Sequence, residues 1–106
     1  MANTYANAKL DLTSTNVTTL YTAASLTTGI IKSILVSEDS GNADTITVTI
    51  TNGSDVYNLF KTKAIGANAT VELLDAPLVI GTTEIVKVTA ATANRLHVVA
   101  SILEIT

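Results

Sequence analysis

Between residues 44 and 60 the chain alternates strictly. Thr45, Thr47, Thr49 and Thr51 take turns with Ile46, Val48 and Ile50, and the run ends at Asn52-Gly53. A period of two sends the apolar residues to one face of a strand and the threonines to the other. Asn-Gly tolerates the positive φ angles of a tight type I′ turn, so residues 54–60 are expected to return antiparallel as the second arm of a β-hairpin. A chain that opens a hairpin at its midpoint, with strand-forming residues on both sides, is constrained to be a β protein. The threonine face of the first arm is built of hydroxyls and methyls rather than acids, bases or metal ligands, which suits packing and surface display better than catalysis.

The other strands follow from the same signals. Short candidates at 9–13 and 17–22 are separated by Ser14-Thr15-Asn16, and a loop at 23–28 ends at Gly29. Residues 30–37 form a strand with apolar groups on both faces, Ile30, Ile34 and Val36 against Ile31 and Leu35. Residues 61–69 read as a connection containing Gly66. Strands at 70–74, 78–80 and 84–90 are punctuated by Asp75-Ala76-Pro77 and Gly81-Thr82-Thr83. The last strand, 95–105, is again two-sided, with Leu96, Val98, Ala100 and Ile102 opposite Val99, Leu103 and Ile105. Eight or nine short strands with no helical period define an all-β fold, an antiparallel β-sandwich of immunoglobulin-like or jelly-roll-like type. Residues 9–106 make one domain, and residues 1–8, small and polar, are expected to be a flexible N-terminal arm. A chain of 106 residues buries roughly two thirds of its extended surface in one core. Hiding both faces of two strands is more than a monomer of this size does easily, so a homo-oligomer, dimer or trimer, is expected.

Composition removes several function classes. Cysteine is absent, which excludes a disulfide framework, a thiolate zinc site and a cysteine nucleophile. The net charge is −3, and the six basic residues Lys9, Lys32, Lys61, Lys63, Lys87 and Arg95 are scattered. A nucleic-acid binder needs clustered cations, so no nucleic-acid partner is expected. No apolar run approaches the ~20 residues of a membrane-spanning helix, no membrane partner is expected, and residues 1–9 lack the pattern of a secretory signal.

No constellation of catalytic or ligand residues stands out. His97 is the single histidine, and a zinc site needs three or four donors, so a structural or interface role is expected. Glu38, Asp39, Asn42 and Asp44 surround one turn, but their spacing matches no EF-hand loop and a solvated turn is the expectation. No G-x-S-x-G elbow occurs. Asp55, Glu72, Asp75 and Glu84 could meet as carboxylate pairs, although nothing in the sequence selects one. Asn16-Val17-Thr18, Asn52-Gly53-Ser54 and Asn68-Ala69-Thr70 match the glycosylation pattern, as expected by chance in a chain with nineteen threonines. The expectation is therefore a protein that is not an enzyme and has no catalytic residues, cofactor or metal.

The stretch Ile31-Lys32-Ser33-Ile34-Leu35-Val36-Ser37, followed by Asp39-Ser40-Gly41 and the Thr/Ile hairpin, resembles small virion structural proteins of tailed bacteriophages, particularly those of marine and cyanobacterial hosts. Ala69-Thr70-Val71-Glu72-Leu73-Leu74, Leu78-Val79-Ile80, Val86-Lys87-Val88 and Ser101-Ile102-Leu103-Glu104-Ile105 follow in the same order as in those proteins. The resemblance spans about residues 20–106 and departs at Gly81-Thr82-Thr83-Glu84, where relatives tend to carry an acidic Gly-Asp turn. It implies a capsid decoration or cement protein on the virion, bound to the major capsid protein. The alternative is a tail, neck or fibre component bound to tail or neck proteins. A carbohydrate-binding module is a third reading. It would need exposed aromatics for sugar stacking, drawn from Tyr5, Tyr21, Tyr57 and Phe60.

Overall fold

The computed structural model describes residues 3–106, which form nine strands: β1 (Asn3–Asp11), β2 (Thr18–Thr22), β3 (Thr28–Glu38), β4 (Asp44–Asn52), β5 (Asp55–Ile65), β6 (Thr70–Glu72), β7 (Leu78–Ile80), β8 (Ile85–Ala90) and β9 (Leu96–Ile105). They make two antiparallel sheets packed as a sandwich. One has the order β1-β9-β3, with β6 and β7 placed end to end along the far edge of β3, and the other has the order β2-β8-β4-β5. Pairing is nested about the middle of the chain. β4 pairs with β5, β3 with β6 and β7, β2 with β8, and β1 with β9. That is the connectivity of a jelly roll, with one strand split in two; an immunoglobulin sandwich would instead set its first strand beside its second.

Alternation places the core. Ile31, Ile34, Val36, Val98, Ala100 and Ile102 from the first sheet meet Ile46, Val48, Val86, Val88 and Ala90 from the second, and all are buried. Each inward residue lies beside another across the ladder, Val36 opposite Val98 and Val48 opposite Val88, so every strand adds to one continuous apolar layer. The face expected for 96–102 is the one observed.

Four local features differ from the sequence reading, each for an identifiable reason. Between Ile31 and Ser33 the β3–β9 register shifts, and Lys32 is the extra, exposed residue. The bulge puts Ile31 on the same inward face as Ile34 and Val36 and turns Ile30 outward with Leu35. The hairpin turn is also displaced. Asn52 still pairs with Asp55, so the loop is Gly53-Ser54, and of these only Gly53 has a positive φ, +63°. That is the requirement of a type II′ turn with glycine first, not of a type I′ turn centred on Asn-Gly. The second arm runs on to Ile65, through register shifts that include a bulge at Thr62, whose φ is +53°. Finally, residues 3–8, expected within an arm, pair with 100–105 as the first part of β1, while Met1 and Ala2 lie outside the described residues.

The two sheets are pinned at one end by Tyr21 of β2. Its hydroxyl donates to Glu104 Oε2 of β9 at 2.8 Å, and its ring lies over Gly29 of β3. Burial, reinforced by the hydrogen bond and charge of Glu104, pushes the phenol above its ordinary range. A Cβ at position 29 would sit 2.6 Å from Tyr21 Cε2 and 2.7 Å from its oxygen. Gly29→Ala must therefore swing the ring off β3 and release Glu104. The expected cost is about 1–3 kcal/mol, which lowers the melting temperature by roughly 4–8 °C per kcal/mol in a domain of this size. An unchanged melting midpoint for G29A would show that the ring contact carries no stability.

Candidate functional site

The outer surfaces of the two sheets differ in chemistry. On the β2-β8-β4-β5 sheet, Thr47 faces Thr89 and Thr49 faces Lys87, so the outward positions of the central strands are hydroxyls and a cation. The outer face of the other sheet carries apolar rows. Tyr5, Leu103, Ile30 and Val79 lie directly opposite one another across β1, β9, β3 and β7. A second row joins Lys9, Val99, Leu35 and Glu72 across β1, β9, β3 and β6. Tyr5 is 77% exposed, Val79 59%, Leu35 41% and Val99 37%, while Ile30, Leu103 and Ile105 are half-buried. Between the rows run Asn7, Ser101 and Ser33, and the Lys32 bulge borders a shallow, open depression of about 320 Å³ lined by Tyr5, Ala6, Asn7, Lys32, Ser101 and Ile102. The strands read as two-sided in the sequence are therefore covered on one side by the second sheet and turned outward on the other. Contiguous exposed apolar surface of this kind marks contact sites, whereas single exposed apolar residues such as Leu26 and Val17 are ordinary.

The titratable residues singled out in the sequence do not converge. Glu38, Asp39 and Asp44 turn to three different partners. Glu38 is buried, and its carboxylate accepts the N–H groups of Ser40 at 2.7 Å, Gly41 at 3.0 Å and Asn68 at 3.0 Å, together with the Ser40 hydroxyl. It thereby ties the β3–β4 turn to the β5–β6 turn. Asp39 faces His97 Nδ1 at 3.3 Å, Asp11 faces His97 Nε2 at 3.2 Å, and Asp44 accepts the Thr92 N–H at 3.1 Å. Because the two carboxylates at His97 lie on opposite sides of the ring, they cannot share one metal ion with it. Among the described residues no group of three or more His, Asp or Glu side chains is arranged to hold a metal.

Two of the remaining candidate carboxylates, Glu72 and Glu84, are bound to backbone. Glu72 accepts the N–H of Ile34 at 2.8 Å, the N–H of Leu74 at 3.2 Å and the Ser33 hydroxyl, stitching short β6 to β3. Glu84 accepts the Gly81 N–H at 2.6 Å and closes the β7–β8 turn. Asp55 stands at the hairpin tip on the other sheet. Of the candidate sugar-stacking residues, Tyr21 and Phe60 pack on the core, while exposed Tyr5 and Tyr57 belong to different sheets. Asn16, Asn52 and Asn68 are exposed. Among the described residues no helix is long and apolar enough to cross a membrane.

What the sequence missed is the apolar row itself. Its signal was the two-sidedness of residues 30–37 and 95–105, but which residues align across strands depends on register and on the Lys32 bulge. Comparison with protein-family models and with curated proteins returns no match.

Glu38 gives the turn cluster a definite pH signature. Burial favours its neutral form, but the hydrogen bonds from Ser40, Asn68 and Gly41 outweigh that and hold the carboxyl down at about 2, against an ordinary 4.5. Glu72 shifts in the same direction: burial again opposes the charge, and Ser33 and the backbone donors overcome it. A carboxyl depressed in the folded state contributes stability that is complete above its unfolded value and is lost as pH falls through its folded one. The window for Glu38 is therefore pH 4.5 down to about 2. Glu38→Gln presents an NH₂ group to donors, so the variant should melt lower than wild type at pH 7 and lose less on acidification across that window. Superimposable acid limbs in thermal melts would remove Glu38 from this role.

Proposed function

We propose that this chain is a non-catalytic virion structural protein of a tailed phage, a decoration or cement subunit that binds the major capsid protein at capsomer junctions. The observation that carries the reading is the apolar outer row Tyr5, Leu103, Ile30 and Val79, aligned across four strands of one sheet. It is supported by the resemblance of residues 20–106 to such proteins and by a jelly-roll connectivity that also occurs in viral capsid domains. The mechanism is thermodynamic linkage. A subunit that binds the assembled shell and not its dissociated parts stabilises the shell by its binding free energy at each occupied position. Rows of hydroxyl and amide groups between the apolar rows supply hydrogen bonds at the contact without strong charge, as at the margins of ordinary protein interfaces.

The test uses particles depleted of the protein. Ile30→Asp and Val79→Asp place charges on the outer row without touching the core, and each should weaken binding to the particles at least about tenfold, roughly 1.4 kcal/mol or more. Thr47→Asp on the opposite sheet should bind as wild type does. Equal occupancy for all three variants would overturn the docking face. Electron microscopy of reconstituted particles should place density over the head, and density confined to the neck or tail would move the protein there and withdraw capsid stabilisation.

A further inference from the structure

We propose that β1 is a self-assembly edge, pairing antiparallel with β1 of a second copy across a two-fold axis at Asn7. The inference concerns the chain alone, goes beyond the phage reading and does not depend on it.

The sandwich has four sheet edges, and three are closed to strand addition. β2 has five residues and a register shift between Thr19 and Tyr21. β5 carries register shifts, a residue with φ of +53° and two lysines, Lys61 and Lys63. The β6–β7 edge consists of two three-residue pieces separated by a segment containing Pro77. Bulges, lysines, proline and short length are the usual devices that blunt an edge. β1 has no bulge, no proline and no break, and carries a single lysine, Lys9. Its nine residues pair with β9 in unbroken register from Asn3 to Asp11, and Asn3 to Asn7 are exposed.

The polarity of this edge can be read from one bond. The Leu12 N–H donates to the Leu96 carbonyl at 3.0 Å, which continues the β1–β9 register as a hydrogen-bonded pair. Bonded and non-bonded pairs alternate along an antiparallel ladder, so Leu10, Ala8, Ala6 and Thr4 bond to β9. The peptide groups of Asn3, Tyr5, Asn7 and Lys9 therefore point away from the sheet.

A second copy of the same strand fits these groups. With the two-fold axis at Asn7, odd-numbered residues oppose odd-numbered residues. Asn7 meets Asn7 of the second copy, Tyr5 meets its Lys9, and Asn3 meets its Asp11. The outward peptide groups of Tyr5, Asn7 and Lys9 then face groups of the same phase, while the Asp11 carbonyl already accepts the Thr13 N–H at 2.9 Å. The side chains are complementary in this register. The Lys9 ammonium meets the Tyr5 ring, a cation–π pairing, the Asn7 amides can bond each other, Asp11 meets an amide, and no like charges are opposed. On the inner side Ala6 meets Ala8 and Thr4 meets Leu10, so each larger side chain faces a small one. The pairing also extends the outer face, because the row Val79, Ile30, Leu103, Tyr5 runs on into Lys9, Val99 and Leu35 of the second copy. A single strand per copy is smaller than the roughly 20–30 residues a side of a standard interface, so the dimer is expected to be concentration-dependent.

The experiment is sedimentation velocity of the full chain from about 1 μM to about 1 mM, run beside Asn7→Lys and Asn7→Cys. A monomer–dimer equilibrium is expected. Asn7→Lys, which opposes two like charges at the axis, should raise the dissociation constant at least tenfold with an unchanged circular dichroism spectrum. Opposed residues of a bonded pair lie about 5.5 Å apart, within reach of a disulfide, so Asn7→Cys should oxidise to a covalent dimer, whereas Thr19→Cys on β2 should not. A monomer throughout would overturn the proposal, as would a dimer indifferent to Asn7→Lys, a trimer, or cross-linking at Thr19→Cys in place of Asn7→Cys.

Discussion

Everything in this molecule is registered to the turn at Gly53-Ser54. Residues at equal distance from it face one another, as Ile50 and Tyr57, Val36 and Val71, and Thr22 and Ile85 do, and Leu10 and Val98 are offset by a single residue. The chain is thus one long two-stranded ribbon bent at its midpoint and then rolled, so that β9 meets β3 and β8 meets β4. A two-residue loop with glycine at its first position sets the hand of the ribbon, because a type II′ turn matches the right-handed twist of its strands. Since side chains alternate with a period of two, a one-residue slip at the tip would send β5's side chains to the wrong faces. Bulges correct such slips locally, as the one at Lys32 does by bringing Ile31 to the inward face with Ile34 and Val36.

Rolling leaves two outer surfaces, and the chain treats them unequally. One carries threonines, the other carries Tyr5, Ile30, Leu103 and Val79. Glu38, Asp44, Glu72 and Glu84, four of the seven carboxylates suspected of chemistry, instead hold backbone. Glu38, Glu72 and Glu84 each accept backbone N–H groups that the ladders leave unpaired, which is how a nine-stranded fold with many short turns satisfies its buried donors. A carboxylate accepts several such bonds at once, and an amide or hydroxyl accepts fewer.

Much of this architecture was legible in the sequence. Alternation located β4, β8 and β9 closely, and Pro77 correctly divided β6 from β7. β1 also had a signal: Thr4, Ala6, Ala8 and Leu10 alternate with Asn3, Tyr5, Asn7 and Lys9, but small residues make the pattern faint. What sequence alone does not contain is registration between strands. Asn52-Gly53 could place its glycine first or second in the loop, Lys32 could continue β3 or bulge from it, and Glu38 could face solvent or fold inward. Each choice is decided by contacts with residues far along the chain. The apolar outer row is invisible for the same reason, since its four members come from four strands.

Nesting also bears on how the chain finds its shape. Ladders between distant residues ordinarily make β proteins slow to fold, because long loops must close before any contact rewards them. Here each pairing shortens the next search. Once Asp44 meets Ile65, the loop separating Ser37 from Thr70 is only about a dozen residues in effect, and pairing can advance outward like a zipper. By the time Asp11 meets His97, a preformed Thr18–Val88 pair has cut the closure cost by roughly 1.5 kcal/mol. The step that remains truly non-local is the roll that brings β9 onto β3 and β8 onto β4.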